Sequence, residues 1–423
     1  MQKPAEYNSG MMRRQLPRLL LLIMILAMLL TTSVVSLDDP TEQARRFARP
    51  YEFDYFTWTL DAVEQKTGQW RLNTSQRLTE DAQCQAVMRY FDLIRQLERV
   101  QAQIEVIFSD PGVQDPNMAA AELLAQQDDM EMALKTLAPL TESILQYQVS
   151  QILADFDIAF LSQPIPPVLF HSTPLPKALI VSPRDTIRQE VNISLLSDLS
   201  LEEIVELEDQ VAEYMNASVL VVDVGGIGVY PTMVQRTSDL RWTLDTIAHE
   251  WTHNYLTLHP LGINYETTPE LRTMNETTAS IVGTEISNAV LARYYPQLSA
   301  GSGSGRKSVH FAPVKDTFDF QREMHLTRVT VDAMLAEGKI TEAEQYMEER
   351  RIVFVQHGYM IRKLNQAYFA FHGAYADVPE GAAGEDPVGP AVRALRSQSK
   401  SLGEFLKQIA RMNSFAQLQN AID

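Results

Sequence analysis

The feature that most constrains the fold of this chain is the pentapeptide His-Glu-Trp-Thr-His at residues 249–253, inside the helix-compatible run Trp242–Leu258. In a helix, residues four positions apart lie on the same face, so the imidazoles of His249 and His253 can share one metal ion. Glu250 lies beside them, where a carboxylate can take a proton from metal-bound water. The alternative is that both histidines form hydrogen bonds on a polar helix face and bind no metal ion. A third metal ligand would decide between these two interpretations.

The segment that follows supplies a candidate for this third ligand. It contains Asn-Glu-Thr-Thr-Ala at residues 275–279. Here the sequence resembles the gluzincin metallopeptidases, in which a second helix supplies a glutamate ligand within an Asn-Glu-x-x-Ala pattern. Glu276 occupies the position of that glutamate. The resemblance therefore implies that His249, His253 and Glu276 hold one zinc ion, Zn²⁺.

A longer match points to one group within these enzymes. The sequence resembles a family of predicted bacterial membrane-associated aminopeptidases, in which Asn-Glu-x-x-Ala-Thr/Ser-x-Val-Gly-x-Glu follows the zinc helix. A second match lies at Leu364–Ala367 and Gly373–Tyr375, where Gln366 replaces the second asparagine of the family pattern. The resemblance covers residues 240–300 and 350–380, and hardly touches the first 160. The matching residues of the first segment are Asn275, Glu276, Ala279, Ser280, Val282, Gly283 and Glu285.

The chemistry of these side chains agrees with catalysis. Two neutral imidazoles and one carboxylate hold Zn²⁺ tetrahedrally and leave one position open for water, as catalytic zinc sites do. Peptide hydrolysis also needs donors for an oxyanion. We favour Tyr375 for this role. His372, Tyr368 and Asn365 are further candidates. For most of these residues the alternative is a role in packing the core. Asp245 either accepts a hydrogen bond from an imidazole or is a solvated acid near the helix start.

The N-terminus reads as an export signal or a membrane anchor. Arg13, Arg14 and Arg18 precede the apolar stretch Leu19–Leu37, which is just long enough to cross a bilayer. The basic flank predicts that the N-terminus stays in the cytoplasm and that the rest of the chain is extracytoplasmic, either secreted or membrane-anchored. Cleavage and retention of the segment both remain open.

Hydrophobic patterning predicts a mainly α fold with a small α/β subdomain, and the resemblance implies that this fold is zincin-like. One apolar stripe, from Val87 to Phe108, predicts a long helix, and a second ends near Phe160. We predict five regions: a signal or anchor at 1–37, an N-terminal helical domain at 38–162, an α/β subdomain at 163–235, a helical zinc-binding region at 236–377, and a C-terminal helical segment at 378–423.

The α/β subdomain is marked by short extended segments and capping patterns. Capping boxes at residues 200–203 and 341–344 predict two helix starts. Gly225, Gly226 and Gly228 follow a buried strand, but the phosphate-loop pattern is incomplete, so we expect a strand end that another backbone approaches closely. Residues 219–234 could also offer an edge to an extended peptide. The predicted strands are Val168–His171, Ala178–Val181 and Ile187–Leu195, with Ile187, Val191, Ile193 and Leu195 on one face.

Charge and cysteine content exclude other classes. The chain carries 36 Lys and Arg against 54 Asp and Glu, a net charge of −18, which disfavours nucleic-acid binding. Cys84 is the sole cysteine of the sequence, so neither an internal disulfide nor a cysteine-based zinc cluster can form.

These observations predict an exported zinc metallopeptidase that acts on a peptide or protein, with aminopeptidase action favoured by the resemblance. An aminopeptidase needs a carboxylate near the metal for the substrate ammonium. Glu285 falls near the opposite side of its helix from Glu276, so Asp223 and the segment Glu266–Glu270 are equally open candidates. The alternatives are a zinc endopeptidase of the same fold and a non-catalytic helical scaffold.

Overall fold

The computed structural model describes residues 38–72, 77–109, 112–159, 163–299, 318–373 and 387–422. It is 67% helical with a small sheet portion, which confirms the mainly α fold with a small α/β part. Within these ranges no helix is both long and apolar enough to cross a bilayer. The predicted anchor at 1–37 and the candidate Tyr375 lie outside the described residues.

The N-terminal part is dominated by two long antiparallel helices. The predicted stripe is buried from Val87 to Val100, but Phe108 is 48% exposed, so the buried part of the stripe ends two turns earlier than expected. The second long helix ends at Asp155, and Phe160 lies outside the described residues. The helices are α1 Pro40–Ala48, α2 Tyr55–Leu72, α3 Glu80–Ser109, α4 Pro116–Ala119 and α5 Ala121–Asp155.

Two small three-stranded sheets follow. In one, the order is β3-β2-β4 with antiparallel pairs throughout; in the other it is β1-β6-β5, with β1 parallel and β5 antiparallel to β6. The prediction that Ile187 shares a strand face with Val191 is wrong, because β3 begins at Val191 and Ile187 packs against the apolar cluster that contains Met324 and Phe354. The strands are β1 Phe170–Ser172, β2 Lys177–Pro183, β3 Val191–Leu195, β4 Ala217–Asp223, β5 Gly226–Ile227 and β6 Thr232–Val234.

One of the two predicted capping boxes forms. Ser200 and Glu203 cap helix α6, Leu201–Met215, reciprocally, and the helix ends at Asn216 in the left-handed conformation (φ 48°). The box predicted at residues 341–344 is wrong, because α12 begins at Ile340, so that Thr341 lies inside the helix and the capping residue Lys339 makes no side-chain cap. Glu344 instead binds the guanidinium of Arg184 through both carboxylate oxygens, at 2.8 and 2.7 Å.

The remaining helices supply the centre and the C-terminal end of the molecule. They are α7 Leu240–Leu256, α8 Pro260–Ile263, α9 Pro269–Tyr294, α10 Pro296–Ser299, α11 Phe320–Ala336, α12 Ile340–Gln356, α13 Gln366–His372, α14 Val388–Gln398, α15 Leu402–Ile409 and α16 Phe415–Ile422.

A single apolar cluster joins parts of the chain that are far apart in sequence. It includes Leu97 of α3, Leu145 of α5, Trp251 of α7, Ile286 of α9 and Phe405 of α15, all at most 2% exposed. The long helices α3 and α5 and the histidine-bearing helix α7 therefore share one core. The division of the chain into domains at 38–162 and 236–377 remains a prediction. A second cluster fills the space between α1, α6 and the β3-β2-β4 sheet.

Helices α7 and α9 approach each other closely at Gly283. A Cβ at this position would lie 2.9 Å from the backbone oxygen of Asp245 and 3.3 Å from Cβ of His249. Real Cβ atoms essentially never approach a backbone oxygen this closely, so glycine is required for the two helices to pack at this distance.

Substituting Gly283 by alanine should destabilise the protein by about 1–3 kcal/mol, because the added methyl group must push α7 and α9 apart. Gly68→Ala is the matched control: this helical glycine on α2 has nothing within 4 Å of its Cβ position. The control should gain about 0.5–1 kcal/mol from helix propensity. Urea unfolding measures both, and equal stability of the two variants would contradict the packing argument.

Candidate metal centre

Two histidines on one face of α7 form the first half of the site. The helix is capped by Asp239, whose carboxylate accepts from the backbone NH of Trp242. Two turns further on, His249 and His253 lie one above the other, with their Nε2 atoms 3.1 Å apart. Both side chains turn into the protein, with 5% and 18% of their surface exposed.

Helix α9 supplies the second half. It starts at Pro269 after the capping residue Thr268, and Glu276 lies two turns along it with 4% of its side chain exposed. Oε2 of Glu276 lies 3.5 Å from Nε2 of His249 and 3.5 Å from Nε2 of His253. The close packing at Gly283 brings the two halves together.

These separations fit a single bound metal ion. An ion held tetrahedrally through bonds of about 2.0–2.1 Å needs ligand atoms roughly 3.3–3.4 Å apart, close to the observed 3.1, 3.5 and 3.5 Å. Two imidazole nitrogens approach this closely when a shared proton or a cation lies between them. Oε2 of Glu276 is buried, and the described residues give it no hydrogen bond of normal geometry. The group His249, His253 and Glu276 can therefore hold a metal ion.

Electrostatics within the triad favour a cation strongly. Burial alone would raise the pKa of Glu276, but the imidazoles of His253 and His249 outweigh it and hold this pKa well below its usual range. Burial likewise would lower the pKa of His253, yet the carboxylate of Glu276 raises it to about 9. In the absence of metal, His253 therefore carries a proton at neutral pH, and a metal ion displaces that proton when it binds.

Two side chains outside the triad orient its ligands. Oδ1 of Asn275 can only accept, so Nδ1–H of His253 donates a hydrogen bond to it at 2.8 Å, which leaves Nε2 as the ligand atom. The hydroxyl of Tyr265 donates to Oε1 of Glu276, which turns Oε2 towards the histidines. The hydroxyl in turn accepts from Nε of Arg272 at 3.2 Å. The sequence analysis did not identify Tyr265 or Arg272, although Arg272 stands one helical turn before Glu276.

Glu250 lies beneath a glycine-rich strand edge. A Cβ on Gly226 would lie 2.7 Å from Cγ and Oε1 of Glu250, and one on Gly228 would lie 3.1 Å from Cβ of His253. The prediction that another backbone approaches closely at these glycines is wrong, because side chains of α7 make the close approach. Gly226 belongs to β5, the edge strand of its sheet.

A cleft of about 370 Å³ opens over the triad. The strand edge from Gly226 to Val229 belongs to its lining, as do Tyr265 and Arg272. The part towards the β3-β2-β4 sheet is polar, and its residues are Tyr55, Lys177, Asn192 and Ser194. Glu250, His253 and Glu276 form part of the lining, so two of the three predicted metal ligands and the predicted base face the same open space.

The other predicted candidates have varied surroundings. Asn365 caps α13 by accepting from the backbone NH of Tyr368, and its amide donates to the carbonyl of Val219, so its side chain holds helix to strand. The ring of His372 lies 4.3 Å from that of Tyr368 and is tilted by 44° against it; burial lowers the pKa of His372 to about 4 and raises that of Tyr368 to about 12. Asp245 accepts a hydrogen bond from Thr284 of α9 at 3.1 Å.

The acids considered for a substrate ammonium do not line this cleft. Glu285 forms a two-pronged salt bridge with Arg396, at 2.7 and 2.8 Å. Asp223 lies 2.5 Å from the ammonium of Lys177. Glu266 and Glu270 are exposed. The carboxylates in the described cleft lining are those of Glu250 and Glu276.

Comparisons with known proteins identify no relative of this chain. A scan against protein-family models and searches of curated proteins and solved structures find no match to the chain. The features of this chain that bear on its function are therefore the triad, Glu250 and the cleft beside them.

Removing the amide that orients His253 should weaken metal binding. We expect Asn275→Ala to lower zinc affinity by roughly 10- to 100-fold, because Nδ1 of His253 loses the acceptor that fixes its tautomer and ring orientation. Asn288→Ala is the matched control, since Asn288 lies on the same helix and binds the exposed Arg241. Competition with a chromophoric chelator measures both affinities. Equal affinity of the two variants would remove Asn275 from the site.

Proposed function

We propose that the protein is a zinc-dependent peptidase with a zincin-like fold, in which His249, His253 and Glu276 hold Zn²⁺ and Glu250 is the general base. The observation that carries this proposal is the spacing of the three ligand atoms, 3.1 to 3.5 Å, at the base of an open cleft that Glu250 also lines. Sequence resemblance to gluzincin metallopeptidases points in the same direction.

The donor set supports zinc and a catalytic role. Two imidazoles and one carboxylate are three protein ligands, which leave a coordination position open, whereas structural zinc sites use four protein ligands. When bound, zinc would polarise the scissile carbonyl and lower the pKa of water at the site.

Glu250 would carry the proton during hydrolysis. Its carboxylate would accept a proton from the attacking water and pass it to the nitrogen of the leaving amine. The glycines of the strand edge leave room for the carboxylate at this place, and the backbone of β5 can align an extended peptide beside it. A non-catalytic scaffold has no use for a buried base at a metal centre, so the position of Glu250 favours an enzyme.

The kind of peptidase and its cellular location remain proposals from the sequence. The resemblance favours an aminopeptidase, and an endopeptidase of the same chemistry is the alternative. Basic residues followed by the apolar stretch Leu19–Leu37 support an extracytoplasmic protein that is secreted or held at the membrane.

Glu250→Gln should retain zinc but lower kcat by roughly 10²–10⁴-fold, because the amide keeps the shape of the side chain and cannot accept the proton. The control is Glu213→Gln, an exposed residue on α6 that should leave both quantities unchanged. Metal analysis and a peptide-library cleavage assay on residues 38–423 measure the two effects. Normal turnover in Glu250→Gln would refute the assignment of the base.

Cleavage of one peptide in free and N-acetylated form should separate exopeptidase from endopeptidase action. An aminopeptidase recognises the substrate's α-ammonium, so we expect acetylation to abolish cleavage almost completely. Mass spectrometry of the products locates the bond that is cut. Equal cleavage of both forms at internal bonds would assign the protein as an endopeptidase.

A further inference from the structure

A second cavity adjoins the cleft over the triad. Its volume is about 470 Å³, against about 370 Å³ for the cleft itself. Pro176, Lys177 and Val224 line both cavities, so the two meet at these residues. The space over the metal ligands is therefore one part of a longer groove.

The groove follows the junction between the two small sheets. Residues 173–176 connect β1 of one sheet to β2 of the other, and residues 224–225 connect β4 to β5. Two of the residues at 173–176 are prolines, whose fixed φ stiffens this connection. The backbone NH of Thr173 donates to the carbonyl of Val234 at 3.1 Å, which ties the same connection to the end of β6. The lining of the second cavity thus includes backbone segments that are held in place.

The charged side chains around the second cavity are paired with opposite charges. Lys177 and Asp223 are opposite residues of β2 and β4, and Nζ of Lys177 lies 2.5 Å from Oδ1 of Asp223. The guanidinium of Arg236 binds both carboxylate oxygens of Glu131, each at 2.9 Å. Because these charges are compensated, the lining meets a ligand mainly with hydroxyl and amide groups. The uncharged polar residues of this lining are Ser172, Thr173, Ser197 and Gln235.

We propose that the second cavity binds substrate residues remote from the scissile bond, so that the protein acts on oligopeptides in preference to di- and tripeptides. Peptide amides match a lining of hydroxyl and amide groups, because they donate and accept hydrogen bonds without carrying charge. A volume of about 470 Å³ corresponds to roughly 8 Å in each direction, the length of two to three residues of an extended chain. This inference rests on the proposed peptidase function and deepens it by naming the substrate class.

The second cavity can receive either part of a cleaved peptide. If it receives the residues that follow the scissile bond, peptide length matters on the C-terminal side alone, which is compatible with aminopeptidase action. If it receives the residues that precede the bond, the enzyme cuts within the chain, as an endopeptidase does. Two series of peptides separate these cases, one lengthened at the C-terminus and one at the N-terminus, each from three residues to six.

The kinetic arm measures kcat/KM of the zinc-loaded full-length protein for both series. We expect the hexapeptide to exceed the tripeptide by at least about tenfold in one series, which corresponds to one or two further hydrogen bonds of ordinary strength. Equal values for tripeptides and hexapeptides in both series would overturn the proposal.

Two substitutions that fill the second cavity test where the preference for length arises. Ser197 follows β3 and Gln235 follows β6, so Ser197→Trp and Gln235→Trp narrow the cavity from two different sheets. Each should abolish the ratio between hexapeptide and tripeptide. The matched control is Gln126→Trp, at an exposed position on α5, which should keep the wild-type ratio. A ratio that persists in both cavity variants would mean that long peptides bind elsewhere, and this would overturn the proposal.

A binding arm makes the result independent of turnover. Peptides of three and six residues with a metal-chelating hydroxamate at either end are titrated into the zinc-loaded protein by calorimetry. Tighter binding of a hexapeptide than of its tripeptide, lost in Ser197→Trp and Gln235→Trp, supports the inference even if no peptide is cleaved, in which case the proposed function fails alone. Cleavage together with equal binding of short and long probes overturns the inference and leaves the peptidase function standing.

Discussion

At Gly283 the backbones of α7 and α9 come so close that a methyl group does not fit, and this contact determines the geometry of the metal centre. His249 and His253 belong to one helix and Glu276 to the other, so the distance between the helices sets the separations of the ligand atoms. A shift of a few tenths of an ångström between packed helices changes those separations directly. The site is therefore a property of helix packing as much as of its three ligands.

The residues around the triad have two different roles: some orient its ligands, and others leave space beside Glu250. Asn275 fixes the tautomer of one histidine, and Tyr265 takes one oxygen of Glu276 so that the other faces the imidazoles. Each of these contacts orients a ligand that already exists on a rigid helix. Across the cleft, the glycines of the β5 edge let a strand lie directly over Glu250. Rigid helices thus hold the candidate metal ligands, while Gly226 and Gly228 of the strand edge leave space beside Glu250 and His253.

The sequence predicted the histidine pair and the long helices because both follow from local spacing: histidines four positions apart, and apolar residues every three or four positions. Glu276 was predicted from the family resemblance. It placed the strands within a few residues but assigned Ile187 to the wrong surface, since the turn before Val191 interrupts the alternation. The capping box predicted at residues 341–344 does not form. The carboxylate of Glu344 instead makes a salt bridge with Arg184, which is far away in sequence. Tyr265 was missed for a similar reason: it lies outside a helix or strand, and only the folded chain brings it to Glu276.

The shared core gives the metal an influence well beyond the cleft. Apolar residues of α3, α5, α7, α9 and α14–α16 form one continuous cluster. Such a cluster tends to unfold as a cooperative unit, and a ligand that binds the native form alone stabilises all of that unit by mass action. A bound metal ion would then stabilise the long helices α3 and α5 and the C-terminal helices α14–α16 together with the triad. If the triad holds an ion as proposed, a chain without that ion would expose protease-sensitive segments far from the site.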